Sequence, residues 1–365
     1  MVAIPQYEKA RTSPLSLDEA AGARSLSVPS KGWRIFKRLI VAAHRLALRC
    51  GIVILPNHYY TPVPDINELR RTQELWAKPS TLVGVDVNAA KQRANLYEIC
   101  LPFLPEYRDN AVFKRACSEK RGFGFGPVEA QALHGVIRHY RPSRIIEVGC
   151  GVSTACMLKA VSLNRADYGR SCQITCIDPH PYRWLRKANV ELLAQPVQSV
   201  PLEVFDLLEA NDLLFIDSSH AVKTGSDTNF LVLEVLPRLK SGVIVHFHDI
   251  FLPYDYPRDA LHSLFQFQET ALLHAFLIDN ERVAILFALS LLHYERPDSL
   301  KEVFPGYRPA PDRDGLADWE TAARGNFPSS LYLRIGPAEK DGFWGPKRGA
   351  SPAAASWLSR RGTGG

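Results

Sequence analysis

Carboxylates and imidazoles recur at short spacing in two places of the chain, Asp217-Ser218-Ser219-His220 and His246-Phe247-His248-Asp249. Each adjoins an apolar run, Asp212–Ile216 or Val243–His248, that reads as a buried strand. In a doubly wound parallel sheet the carboxyl ends of neighbouring strands border one cleft, so Asp217 and Asp249 would meet there. Two chemistries suit that meeting. In one, His220 or His248 is a general base, since free imidazole titrates at about 6.5. In the other, Asp217 and Asp249, with His248, hold a Mg²⁺-like ion that binds substrate oxygens and lowers their pKa. A plainer reading gives the aspartates only loop and helix caps. His246 shares a strand face with His248 but lies deeper, which makes it a core histidine.

A second constellation lies upstream. Arg144–Val148 reads as a strand carrying Glu147, then Gly149-Cys150-Gly151 makes a turn, and Val152-Ser153-Thr154 opens a helix. Two glycines let the backbone turn tightly and let a ligand approach it, and the helix start offers N–H groups to that ligand. The next strand ends in Asp178-Pro179, where a carboxylate can accept both hydroxyls of a ribose. A dinucleotide fingerprint would need a third glycine, which is absent here, and Glu147 would repel a pyrophosphate. The pattern suits a nucleoside ligand with a cationic end and no phosphate.

The elements that position these residues follow from periodicity. Strands are expected at Arg144–Val148, Gln173–Ile177, Val190–Leu193, Asp212–Ile216, Val243–His248, Val283–Phe287 and Leu331–Ile335. Helices are expected near Ser153–Leu163, Tyr182–Ala188, Pro201–Glu209, Asp227–Leu239 and Arg258–Phe276. The first five strands alternate with helices, so the sheet is parallel there. The last strand follows an irregular, Pro-rich stretch, Arg296–Pro328, and is expected to enter without a standard crossover. Residues 31–140 read as a helical N-terminal extension or cap, with helices near Ile66–Ala77, Asn88–Phe103 and Val128–His139. Residues 141–336 read as the ligand-binding domain, and residues 1–30 and 337–365 as disordered ends.

The motif Glu147-x-Gly149-x-Gly151 with Asp178 resembles the class I S-adenosylmethionine-dependent methyltransferases. The runs Leu214–His220, Lys223–Asp227, Leu236–Val243 and Val245–Pro253 resemble the bacterial group called methyltransferase 24, and Asn57–Pro64 and Phe123–Ala130 are similar to its N-terminal region. The resemblance implies a Rossmann-like, seven-stranded class I methyltransferase sheet and S-adenosylmethionine as cofactor. It places Glu147, Gly149, Cys150, Gly151 and Ser153 at the methionine part, Asp178 and Pro179 at the ribose, and Gln198 and Ser199 at the adenine edge, with Asp217 bordering the donor. Relatives often carry an acidic residue near Ser199, so this chain departs from them there. The implied activity is O-methylation of a small-molecule or glycan hydroxyl. His220, Asp217, His248 and Asp249 are the catalytic candidates, and Asp217 and Asp249 the Mg²⁺ ligands that related small-molecule enzymes place after these strands. Tyr59, Tyr60, Phe123, Phe125, Tyr254 and Tyr256, on loops, are candidates for an acceptor pocket.

Two other classes compete. A non-catalytic or membrane-associated module could keep the nucleotide fold, but Asp178, Asp217, His220 and Asp249 are all intact. A nicotinamide oxidoreductase is disfavoured by Glu147 and the missing third glycine. The formal net charge of +6 is concentrated in residues 1–50, where nine Lys and Arg face three acidic residues, so no nucleic-acid partner is expected. Residues 31–49 form a basic amphipathic helix suited to peripheral contact with an anionic membrane or to packing on its own domain. Seven cysteines without a CxxC pair suggest buried thiols in a reducing compartment. With no secretory leader pattern in the first thirty residues, a cytoplasmic location is expected.

Overall fold

The computed structural model describes residues 31–55, 57, 61–263, 266–308, 312–317 and 327–336. The two ends expected to be disordered, and Tyr59 and Tyr60, lie outside the described residues. The chain divides into two compact units, Met1–Asp65 and Ile66–Gly365. In the first, helix Lys31–Leu48 ends in a turn through Gly51, after which the Ile54 carbonyl meets Nδ1 of His44 at 2.7 Å. Leu39, Val41, Leu46, Leu48 and Ile52–Leu55 are exposed. No helix among the described residues is long and apolar enough to cross a membrane.

The second unit is built on a seven-stranded sheet. We number its strands β1 (Arg144–Val148), β2 (Gln173–Ile177), β3 (Glu191–Leu193), β4 (Leu213–Ile216), β5 (Ile244–Phe247), β6 (Val283–Ala288) and β7 (Leu331–Ile335). Their order is β3-β2-β1-β4-β5-β7-β6. The first five strands are parallel, and β7 runs antiparallel to both β5 and β6. This is the Rossmann-like class I sheet expected from the sequence, with the irregular entry of the last strand.

Alternate residues of each strand feed two apolar layers. Ile145, Phe215, Ile244 and Tyr332 pack with helices Ala89–Cys100, Pro127–Tyr140 and Val152–Tyr168, while Ile146, Leu214, Val245 and Leu333 pack with Val204, Leu231, Val235 and Leu273. Strands buried on both faces carry apolar residues at nearly every position, which is why they were readable as runs. Helix Val152–Tyr168 stops where Gly169 turns left-handed and its N–H reaches the carbonyls of Asn164 and Arg165. Helices Ala89–Cys100 and Pro127–Tyr140, from the segment expected as an extension, contribute Leu96, Leu133 and Ile137 to the first layer.

Several helices differ from expectation. Asp227–Leu239 begins as one α-turn, widens to a π-helical stretch at Leu231–Val235 and closes as a 3-10 turn. Tyr182–Ala188 holds only a 3-10 turn, Arg183–Lys187. The helix expected over Arg258–Phe276 is confined to Glu269–Leu277. Pro257 opens a turn ahead of it, with the Asp259 carbonyl accepting from His262 and Ser263, and the Gln268 N–H is drawn to the His220 carbonyl at 3.1 Å. That last bond sets Glu269 beside His220. Within the stretch read as irregular, Pro297–Val303 is helical.

Candidate active site

The glycine turn is fixed by its surroundings. Gly149 has φ +79°, and a Cβ there would overlap the Asp217 carbonyl oxygen, so no other residue fits. Its N–H reaches the Ile177 carbonyl at 3.0 Å. Glu147, fully buried opposite Cys176 and Phe215, accepts the hydroxyls of Ser153 and Thr154 at 2.6 Å each. Burial outweighs these bonds and pushes its carboxyl up to about 7. Thr154 in turn accepts the Gly151 N–H at 3.1 Å, so the carboxylate ties the helix start to the strand. Gly122 packs on Gly151 and Val152, where a Cβ would come within 2.9 Å of backbone.

A cavity of about 400 Å³ opens above the turn at the carboxyl ends of β1 to β4. Of the expected cofactor residues, Gly149, Asp178, Pro179, Gln198 and Asp217 line it. Asp178 accepts the N–H groups of Cys150 at 3.1 Å and His180 at 2.7 Å, which aims its carboxylate over the turn. Gln198 donates to the Gly225 carbonyl at 2.9 Å, closing the far side. Cys150 and Gly151 are buried within the turn and Glu147 and Ser153 beside it, all four outside the cavity lining, and Ser199 is exposed and also outside it. Among the described residues, the lining carries Asp178, Asp217 and Asp227 against the one cation Lys223, and with the bare Gly149 backbone it fits S-adenosylmethionine.

The catalytic candidates do come together. Asp217 Oδ1 stands 3.3 Å from both His220 Nε2 and His248 Nδ1. Asp249 approaches the same two nitrogens, Oδ2 to His220 at 3.7 Å and Oδ1 to His248 at 3.5 Å. His220 and Asp249 both adopt left-handed backbone, φ +56° and +53°. Each such residue costs roughly 1 kcal/mol or more and persists only where neighbours hold it. The Gln268 bond holds His220, and Ile250 N–H to the Ser329 carbonyl at 2.8 Å holds the loop at Asp249.

Two buried glutamates complete the cluster. Glu269 Oε2 accepts from His220 Nδ1 at 2.7 Å, and Glu129 Oε1 lies 3.1 Å from His248 Nε2. Ser329 links Glu129 to Asp249 through its hydroxyl, at 2.8 and 3.0 Å. Glu129, Glu269 and Ser329 were missed in the sequence. The available signals were a carboxylate within the apolar run Val128–Ala132 and another opening a helix. Burial alone would lower the pKa of His220, but Asp217, Glu269 and Asp249 outweigh it and raise it to about 10. Burial would likewise raise Asp217, yet His248 and His220 hold it well below the usual carboxylate range. His246 is a core histidine, stacked on Phe215 at 4.0 Å and bonded to the Ser330 hydroxyl at 2.9 Å.

The aromatic candidates separate into two kinds. The Phe125 ring lies 5.3 Å from His248 and is buried. Phe123 is 90% exposed beside the glycine turn. Tyr254 and Tyr256 pack instead on Tyr294 and Trp76, and the Tyr256 hydroxyl donates to the Asp314 carbonyl at 2.7 Å, as packing anchors do.

A family model described as a methyltransferase domain matches residues 146–250, the stretch that contains the turn, the cavity and Asp217 to Asp249. Together with the seven-stranded sheet, this match marks residues 146–250 as a methyltransferase domain on a Rossmann-like fold. It is 34% identical over 172 residues to a protein of Archaeoglobus fulgidus described as uncharacterized, covering 44% of this chain and 76% of that one. A crystal structure from Thermobifida fusca, described as a candidate methyltransferase, matches with 10% identity and a TM-score of 0.31, over 72% of this chain and 96% of that one.

Proposed function

We propose that the protein transfers a methyl group from S-adenosylmethionine to a hydroxyl of a small-molecule or glycan acceptor. The observation that carries this reading is the double position of Asp217. It lines the cavity with Gly149, Asp178 and Gln198, and its carboxylate faces His220 and His248. Donor and acceptor sides thus adjoin at one residue, which suits in-line transfer because the reacting atoms must lie next to each other.

When bound, the donor supplies an electrophilic methyl group on a sulfonium. Asp178 accepts the ribose hydroxyls, Gln198 borders the adenine, and the backbone at Gly149 lets the methionine end approach. Val148, Ile177 and Val197 give the cavity apolar walls that exclude water. On the acceptor side, His220 Nδ1 is taken by Glu269, and its Nε2 faces two carboxylates rather than open space. This favours a cation held between Asp217 and Asp249, over an isolated histidine base, for lowering the pKa of the acceptor hydroxyl.

Isothermal titration with S-adenosylmethionine and with NAD tests the reading. Binding of NAD without binding of the methyl donor would refute it. Asp178→Ala should weaken donor binding at least about tenfold, and unchanged affinity would remove the ribose assignment. Methyl transfer that is insensitive to EDTA would remove the cation.

Peripheral contact of the first unit with anionic lipid is a separate proposal, favoured by the exposed Leu39, Leu46 and Ile52–Leu55 beside the exposed Arg45 and Arg49.

A further inference from the structure

The loop that joins the donor side of the site to the acceptor side carries an apolar ring that the fold leaves outside. Gly122 packs against Gly151 and Val152 of the donor turn, and three residues later the Phe125 ring lies 5.3 Å from His248. Three residues span at most about 10 Å, so Phe123 is carried between these two contacts and stands close to both. The loop is anchored at either end: Trp184 Nε1 donates to the Arg121 carbonyl at 2.9 Å, and Asn110 Nδ2 to the Pro127 carbonyl at 2.7 Å. Between the two phenylalanines Gly124 turns through φ +88°, and the rings part, Phe125 into the core and Phe123 to 90% exposure. Tyr182 meets Phe123 at near right angles with centroids 6.5 Å apart, a contact that covers little of the ring.

The polar groups beside that ring are acids. Asp217 and Asp249 keep a quarter or more of their side-chain surface exposed, while His220 and His248 are buried. A second ring, the half-buried Phe267, adjoins His220 at 4.9 Å. An incoming acceptor therefore meets carboxylates and flat apolar rings. Ionised carboxylates only accept hydrogen bonds, so the acceptor must bring several O–H groups, bonded directly or through the cation held there. The negative face of an aromatic ring attracts C–H groups that carry partial positive charge. A pyranose has both features, hydroxyls around its rim and, on its face, C–H bonds polarised by the neighbouring oxygens. A phenol offers the flat face but few hydroxyls, and such ligands take enclosed apolar pockets rather than a ring open to solvent.

We infer that the acceptor is a saccharide and that Phe123 is the platform on which its pyranose ring stacks, with the reacting hydroxyl directed toward Asp217 and Asp249. The inference rests on the methyl-transfer reading above and names the acceptor class of that same site. Phe123 sets the affinity and the specificity for the acceptor and takes no part in removing its proton. Gly122 and Gly124 serve that role, the first by letting the loop approach the donor turn and the second by turning the ring outward.

The test is transfer of a tritiated methyl group from S-adenosylmethionine by the full-length protein. The probes are the methyl pyranosides of glucose, galactose, mannose and rhamnose, with phenol and catechol as the aromatic comparison. Label should enter at least one pyranoside, and faster than either aromatic probe. Phe123→Ala should raise the KM for that pyranoside about tenfold, with kcat changed by less than about twofold and affinity for S-adenosylhomocysteine unchanged. Phe123→Tyr should restore the KM. The ring is exposed, so its removal leaves the core intact. No label in any pyranoside, label entering an aromatic probe as fast or faster, an unaltered KM in Phe123→Ala, or a raised KM that Phe123→Tyr does not restore would each overturn the inference. Label in the aromatic probes alone would leave the methyl-transfer reading standing. Calorimetry that finds no binding of S-adenosylmethionine would refute that reading itself.

Discussion

Glu147→Gln isolates what the buried acid at the glycine turn does. In the folded chain its carboxyl is pushed up to about 7 from an ordinary 4.5, because burial outweighs the two hydroxyl bonds from Ser153 and Thr154. Between those values the folded chain holds a proton that the unfolded chain has already released. Stability therefore falls as pH rises through this window, and levels off above the folded value. At about 1.4 kcal/mol per unit the whole effect is about 3 kcal/mol, of which about 2.5 falls between pH 5 and pH 8. Glutamine is neutral throughout. Its carbonyl can accept one hydroxyl, and its amide can donate to Thr154, whose oxygen already takes the Gly151 N–H. In urea unfolding at both pH values, the variant should therefore gain about 2.5 kcal/mol relative to the parent on going from pH 5 to pH 8. A difference between the two proteins that does not change with pH would refute the assignment of a displaced carboxyl, whatever its sign.

Other outcomes follow from the same geometry. Gly149→Ala places a methyl group against the Asp217 carbonyl in a left-handed conformation; calorimetry should find no donor binding, and thermal unfolding should show a loss of several kcal/mol, of order 3. Ser329→Ala removes the hydroxyl joining Glu129 and Asp249; the turnover number should fall while donor affinity measured by titration stays constant. A chain beginning at residue 66 should lose co-sedimentation with anionic vesicles that the full chain shows, and retained binding would remove the first unit as the lipid contact.

The strands were legible because a sheet covered on both faces writes itself as apolar runs; Arg144–Val148, Gln173–Ile177 and Leu331–Ile335 coincide with β1, β2 and β7 at both ends. Helices were less so, because periodicity does not reveal where a tertiary bond takes over a terminus. The Gln268 N–H goes to the His220 carbonyl, and the helix expected over Arg258–Phe276 begins only at Glu269. The same bond explains why the site was half legible. Asp217, His220, His248 and Asp249 follow strand ends, whose position in a parallel sheet is set by topology. Glu129 and Glu269 come from helices distant in sequence, and nothing in the spacing of either predicts its partner. Their role depends on His220 and Asp249 being held in left-handed backbone, a state that neither residue type dictates and that the loops around Gln268 and Ser329 impose. A motif can therefore place the ligand atoms in one cleft, but the residues that decide what those atoms hold are supplied by the packing of the fold.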